Sequence, residues 1–119
     1  MTNYSSGHAA EKVAAEYLKR HGYDIVALNW KHPRAEIDII ARKKLGWRRY
    51  GPHVFFEVKY RKTDHQGRGL DYITPAKLKQ MQFAANMYAT LNDIADEYIL
   101  GAVELSGTSD VPVIIENLY

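Results

Sequence analysis

No cysteine occurs in the 119 residues, which excludes a disulfide framework and any thiolate metal site. Long apolar runs are missing too, and nothing approaches the ~20 residues that a membrane-crossing helix needs. The N-terminal Met-Thr-Asn-Tyr-Ser-Ser-Gly lacks the basic-then-apolar order of a secretory signal. There is no linker, repeat or low-complexity segment, and the five histidines form no cluster with metal-ligand spacing. These absences lead us to expect a cytoplasmic protein folded as a single domain over residues 1–119.

The composition, 46% hydrophobic and 25% charged, is enough apolar material for a real core with an ordinary charged surface. The net charge of +2 conceals an asymmetry: residues 31–68 hold 11 of the 16 Lys and Arg but only 4 of the 14 Asp and Glu. Basic residues gather in two loop-like stretches, Arg42-Lys43-Lys44 with Arg48-Arg49, and Arg61-Lys62 with Arg68. A basic rim around an acidic centre suits a polyanion and a divalent cation, although a charge run is also what a solvated hairpin tip looks like.

Periodicity predicts a helix over 7–21, with Ala10, Val13, Ala14, Tyr17 and Leu18 as its apolar stripe and His21-Gly22 as its stop. Strands follow at 23–30, 35–43 and 53–61, with Gly46 and Gly51-Pro52 punctuating the turn between the last two. A glycine-bearing loop covers 62–73. Thr74 then caps a helix that has Pro75 at its first position and runs to about Leu91, with Leu78, Met81, Ala85 and Tyr88 facing the core. Strands at 97–105 and 111–116 complete the chain, the second an edge strand because Pro112 has no N–H to donate to a central ladder. The expected fold is α/β, in the order α-β-β-β-α-β-β: an antiparallel meander, then a crossover helix that permits a parallel pairing, giving a mixed central sheet flanked by helices.

Two of these strands carry charge where burial is expected: Glu36-Ile-Asp38-Ile-Ile40 and Phe55-Phe-Glu57-Val-Lys59. Alternation puts Glu57 and Lys59 on one face and Phe56 and Val58 on the other, and it puts Glu36 on the same face as Asp38. A buried carboxylate is costly unless a cation, hydrogen bonds or a metal offsets it. An Asp followed by Glu-x-Lys on a later strand is the minimal set for a metal-dependent phosphodiesterase. The plain alternative is a salt bridge at a strand end.

The ordered set Gly7-x-x-x-Glu11, Gly22-Tyr-x-Ile25 leading to Asn29, Glu36-Ile-Asp38-Ile-Ile-Ala41, Val54-Phe-Phe-Glu57-Val-Lys59-x-Arg61 and Ile73-x-x-x-Lys77 resembles the YraN family of small bacterial proteins. That family is similar to archaeal Holliday junction resolvases and has the restriction-endonuclease-like fold of the PD-(D/E)xK nucleases. The resemblance covers roughly residues 7–105. One departure is Ala35, after Pro33-Arg34, where the family usually has Gly; it alters the turn into the second strand and leaves the carboxylates in place.

The resemblance implies a metal-dependent DNA endonuclease, with branched or flap DNA as candidate substrates. Mg²⁺ or Mn²⁺ would be held by Asp38, Glu57 and the backbone carbonyl of Val58, with Glu11 helping to hold a second metal or the metal-bound water. Lys59 would orient the attacking water or stabilise the pentacovalent state. On the helical wheel Glu11 falls at the border of the apolar stripe, where it is also an ordinary first-turn Glu favoured by the helix dipole. Arg61 and Lys77 read as phosphate contacts, Lys77 in the first turn of a helix whose amides favour anions, and Gln66 sits in the glycine loop within reach of substrate. Arg42, Arg48 and Arg49 read as further nucleic-acid contacts. Trp30 is expected in the core, with Trp47 and Tyr50 exposed at the hairpin tip as candidates for stacking on bases. A nucleic-acid-binding module that keeps the fold and cuts nothing is the competing expectation, and an RNA nuclease a third. A homodimer would suit a two-fold junction, and a partner protein could supply specificity to so small a domain.

Overall fold

The structure, a computed structural model, describes residues 8–61, 73–95, 97–107 and 109–118. Residues His8–Arg20 form α1. Its buried stripe is Ala10, Glu11, Ala14, Ala15 and Leu18, whereas Val13 is 37% exposed. The expected stripe is thus turned by about one position. Three alanines let the helix backbone approach the sheet closely, and the bulkier Val13 and Tyr17 are left on the flank. Glu11 is carried inward by this turn. The helix ends as predicted: the His21 and Gly22 amides donate to the Leu18 and Lys19 carbonyls at 3.0 and 3.4 Å, and Gly22 takes φ +90°.

The strands are β1 (Tyr23–His32), β2 (Ala35–Gly46), β3 (Arg49–Arg61), β4 (Tyr98–Ser106) and β5 (Ser109–Glu116), with α2 (Pro75–Leu91) between β3 and β4. They lie in one sheet in the spatial order β1-β2-β3-β4-β5. The β3–β4 pair is parallel and the other three pairs are antiparallel, so the α-β-β-β-α-β-β order and the mixed sheet are as the sequence predicts. No helix among the described residues is long and apolar enough to cross a membrane.

One turn is misplaced by the sequence. The β2–β3 hairpin reverses at Trp47-Arg48, with Arg48 at φ +57°, and Gly51-Pro52 lies inside β3. The reason is local. The β4 ladder begins at His53↔Tyr98, so at Pro52 no β4 residue calls for the missing amide, and register shifts in the β2 ladder absorb the irregularity. Pro112 sits in β5 at the sheet edge, as expected.

The two faces of the sheet bury separate clusters. On one, α1 packs Ala14 and Leu18 against Ile39, Val54, Phe56 and Val103. On the other, α2 packs Met81, Ala85 and Tyr88 against Ile40, Phe55 and Leu100. Each fully buried Leu, Ile, Phe or Met contributes about 1.5–3 kcal/mol relative to exposure. Thr74 caps α2 by accepting the Lys77 amide at 3.1 Å, and Pro75 stands at its start. The sandwich holds β3 centrally, with a helix on each side of the strand that carries Glu57 and Lys59.

Candidate active site

The candidate site forms where two ladders part. Pairing of β2 with β3 stops at Ile39↔Phe56, although β3 runs on beside β4 as far as Arg61↔Ser106. On the other side of β2, Leu28↔Ile39 and Trp30↔Ile37 are partners, and Asn29, the residue between, takes φ +52°. Asp38 therefore lies just beyond the end of the β2–β3 pairing, beside a left-handed residue of β1. Its Oδ2 accepts the Val58 amide at 2.8 Å, giving that N–H the acceptor that the absent β2 ladder would otherwise provide. This parting explains how a strand rich in isoleucine accommodates a carboxylate.

Glu57 and Lys59 share the α2 face of β3, as alternation requires. Lys59 Nζ lies 3.5 Å from Glu57 Oε2, and Lys77 Nζ, from the first turns of α2, lies 3.3 Å from the same oxygen. Lys77, read from sequence as a phosphate contact, thus reaches the acidic centre itself. A crevice of about 10 Å³ opens among Glu36, Asp38, Glu57 and Met81. That is room for about one water-sized body.

Glu11 is buried, 8% exposed, and comes from α1 to lie beside the Asp38 carboxyl. All three acids titrate above their ordinary range. Burial is the main cause for Glu11, and the charges of Glu36 and Glu57 add to it, while the Asp38 contact and Lys31 oppose it. Asp38 is raised by burial and by Glu11, against the Val58 amide and Lys77. Glu57 is raised by burial and by Asp38, against Lys77 and Lys59. Desolvated acids that repel one another favour either protons or a bound cation.

The donor set fits a hard divalent cation: carboxylate oxygens beside backbone, with a gap of suitable size. Among the described residues no group of three or more His, Asp or Glu side chains converges as a ligand cage. A cation here would therefore take two carboxylates and complete its shell with backbone and solvent oxygens, the habit of Mg²⁺.

Other predicted residues lie apart. The Arg42 Nε donates to the Gly51 carbonyl at 3.0 Å, and its guanidinium stands over Tyr50 at 5.3 Å. Arg48 stands over Trp47 at 4.5 Å, and Trp47 is 83% exposed. Arg48 and Arg49 mark the hairpin tip, a strand length of about 30 Å from Asp38, whereas Arg42 lies four residues along β2 from Asp38, about 13 Å. The expected single basic rim is therefore split, with one part at the far end of the hairpin. Gln66 lies outside the described residues, and so does the side chain of Arg61. Trp30 packs partly buried against the α2 cluster, edge-on to Tyr88 at 5.3 Å.

Sequence reading missed two features. Glu104, buried in β4, stands in register with Lys59 on the neighbouring strand. Its only signal is a lone acid in an apolar strand, the pattern that singled out Asp38. Arg34, Lys79 and Phe83 line a cleft beside Glu57, and no spacing rule brings a β-turn and a helix face together.

Comparison with known proteins adds kinship. The pattern of the uncharacterised protein family UPF0102 matches residues 10–111. A UPF0102 protein of Shewanella denitrificans is 36% identical over 90 residues, covering 76% of this chain and 78% of the relative. One from Chlorobium phaeobacteroides is 40% identical over 82 residues, 69% of this chain and 60% of the relative. A third, from Flavobacterium psychrophilum, is 36% identical over 88 residues, 74% and 69% respectively.

Proposed function

Since the chain belongs to the uncharacterised protein family UPF0102, whose name states no activity, we propose its function from the site: a divalent-cation-dependent endonuclease that hydrolyses phosphodiester bonds in DNA. The observation that carries this reading is Asp38 and Glu57 bordering one water-sized crevice between parted strands, with Lys59 against Glu57. A surface that only bound a polyanion would gain nothing from clustered, desolvated carboxylates, which repel phosphate.

Asp38 and Glu57 would hold the cation, with the backbone at Val58 beside them, and Mg²⁺ or Mn²⁺ would suit that set. When bound, the cation supplies Lewis-acid polarisation of the phosphate and a lower pKa for an attacking water. Lys59 leaves its bond to Glu57 Oε2 to stabilise charge developing on the phosphoryl oxygens, and Lys77 does the same from the helix start. Glu11, beside Asp38, would help orient that carboxylate toward a bound cation.

A second reading is a nucleic-acid-binding module that cuts nothing. The two lysines on Glu57 favour it, since they neutralise that acid without metal. Labelled linear, flap and four-way-junction DNA, with matching RNA, incubated with Mg²⁺, Mn²⁺ or EDTA, separates the readings. The nuclease predicts metal-dependent cutting of DNA that Asp38→Ala abolishes. Binding by the wild type with no cutting under any metal would overturn it in favour of the module, and cutting of RNA alone would reassign the substrate.

A further inference from the structure

Beside Glu57 a cleft of about 540 Å³ opens between the β1–β2 turn and the outer face of α2. That falls in the range of about 300–1,000 Å³ of clefts that enclose small ligands. Its lining divides by chemistry. Arg34 on the turn and Lys77 and Lys79 on α2 supply positive charge. Phe83, farther along α2, presents a ring that is 49% exposed. Opposite, His32 lies nearly parallel to Trp30, ring centroids 6.1 Å apart at 19°, and Tyr88 holds Trp30 from behind. Glu57 borders the same cleft, so whatever occupies it lies next to the acidic crevice.

Cations interleaved with accessible rings are the surface that tracks an unpaired nucleic-acid strand, backbone on the charges and bases on the rings. A base inside a continuous duplex is stacked on both faces and has none to offer Phe83. The two acids of the cleft, Glu36 and Glu57, repel phosphate and leave Arg34 and Lys79 as its anchors. We infer that this cleft is a subsite for one unpaired nucleotide flanking the phosphate at the Asp38–Glu57 site. The inference rests on the proposed nuclease reading and narrows its substrate to a single strand, a flap or a splayed end.

The test is binding and cutting measured side by side. Fluorescence anisotropy in EDTA at low salt compares a short labelled single strand with a duplex of the same sequence, for the wild type, Phe83→Ala, Phe83→Trp and Lys79→Ala. Phe83 is half exposed, so its truncation leaves the core intact. The wild type is expected to prefer the single strand by about tenfold or more, and Phe83→Ala to weaken that strand alone by about fivefold or more, with Phe83→Trp restoring it. Lys79→Ala should weaken binding and flatten its salt dependence. Equal affinity for duplex and single strand, or unchanged single-strand affinity in Phe83→Ala, overturns the subsite. Cutting with Mg²⁺ or Mn²⁺ is read on the same samples. If cutting persists while the Phe83 effect is absent, the subsite fails and the nuclease stands. If the Phe83 effect is present without cutting, the subsite stands and the nuclease reading fails.

Discussion

Removing one charge from the acidic centre should make the metal-free protein more stable. Burial and mutual repulsion raise the pKa values of Glu11, Asp38 and Glu57 above the ordinary 4.5, 3.8 and 4.5. An acid with a raised native pKa binds protons in the folded state that the unfolded chain releases. Its penalty is therefore absent below the unfolded pKa and grows as pH climbs through the native one. Asp38→Asn removes the charge and keeps an oxygen to accept the Val58 amide, now held at 2.8 Å. One pair of carboxylates about 5 Å apart repels by roughly 3 kcal/mol at an effective dielectric of about 20. The raised pKa values, which leave part of the charge neutralised, and the lysines on Glu57 offset much of that, so the expected net gain is about 1–2 kcal/mol. For a domain this size that is about 5–10 °C in Tm. Thermal unfolding in EDTA should show Asp38→Asn melting higher than wild type near neutral pH, with the advantage vanishing at about pH 4, where the wild-type acids carry protons. Mg²⁺ should raise the wild-type Tm and leave that of the variant unmoved. A variant that melts lower at neutral pH in EDTA, or keeps the same advantage at acid pH, would refute the electrostatic reasoning.

Three further outcomes follow from particular contacts. Gly101→Ala would set a Cβ 2.8 Å from the Ile115 carbonyl oxygen and 2.9 Å from the Phe56 ring; denaturant titration should register a loss of about 1–3 kcal/mol. At Asn29, φ +52° predicts that Ala costs about 1–2 kcal/mol while Gly is nearly neutral, and equal losses for both would place the importance of this residue in its side chain. Lys59→Ala should lower single-turnover cutting about 10²-fold or more at saturating DNA while changing DNA affinity little, since Lys77 remains beside Glu57 to contact the phosphate; an equal loss in affinity would make Lys59 a binding residue.

Element order was legible because apolar periodicity and end signals agreed: Thr74-Pro75 starts α2, Gly22 ends α1, and Pro112 lies in an edge strand. The Gly51-Pro52 turn was misread because the strand partner that would have excluded Pro52 begins one residue later, a tertiary fact. The α1 stripe was misjudged because hydropathy favours Val13 and Tyr17, whereas close packing favours three alanines. Alternation placed Glu57 with Lys59, yet it could not show that the β2–β3 ladder ends beside Asp38 or that Lys77 would reach Glu57 across the helix–sheet gap. Charge counting grouped the arginines of the hairpin tip with the site because it carries no distance along a strand.

The most direct test of the central claim is Mn²⁺ binding, read as loss of the free-ion electron paramagnetic resonance signal, for the wild type, Asp38→Asn and Glu57→Gln. The account predicts saturable binding by the wild type that each substitution weakens about tenfold or more. Mn²⁺ retained equally by all three proteins, or by none, would contradict a cation centre at Asp38 and Glu57.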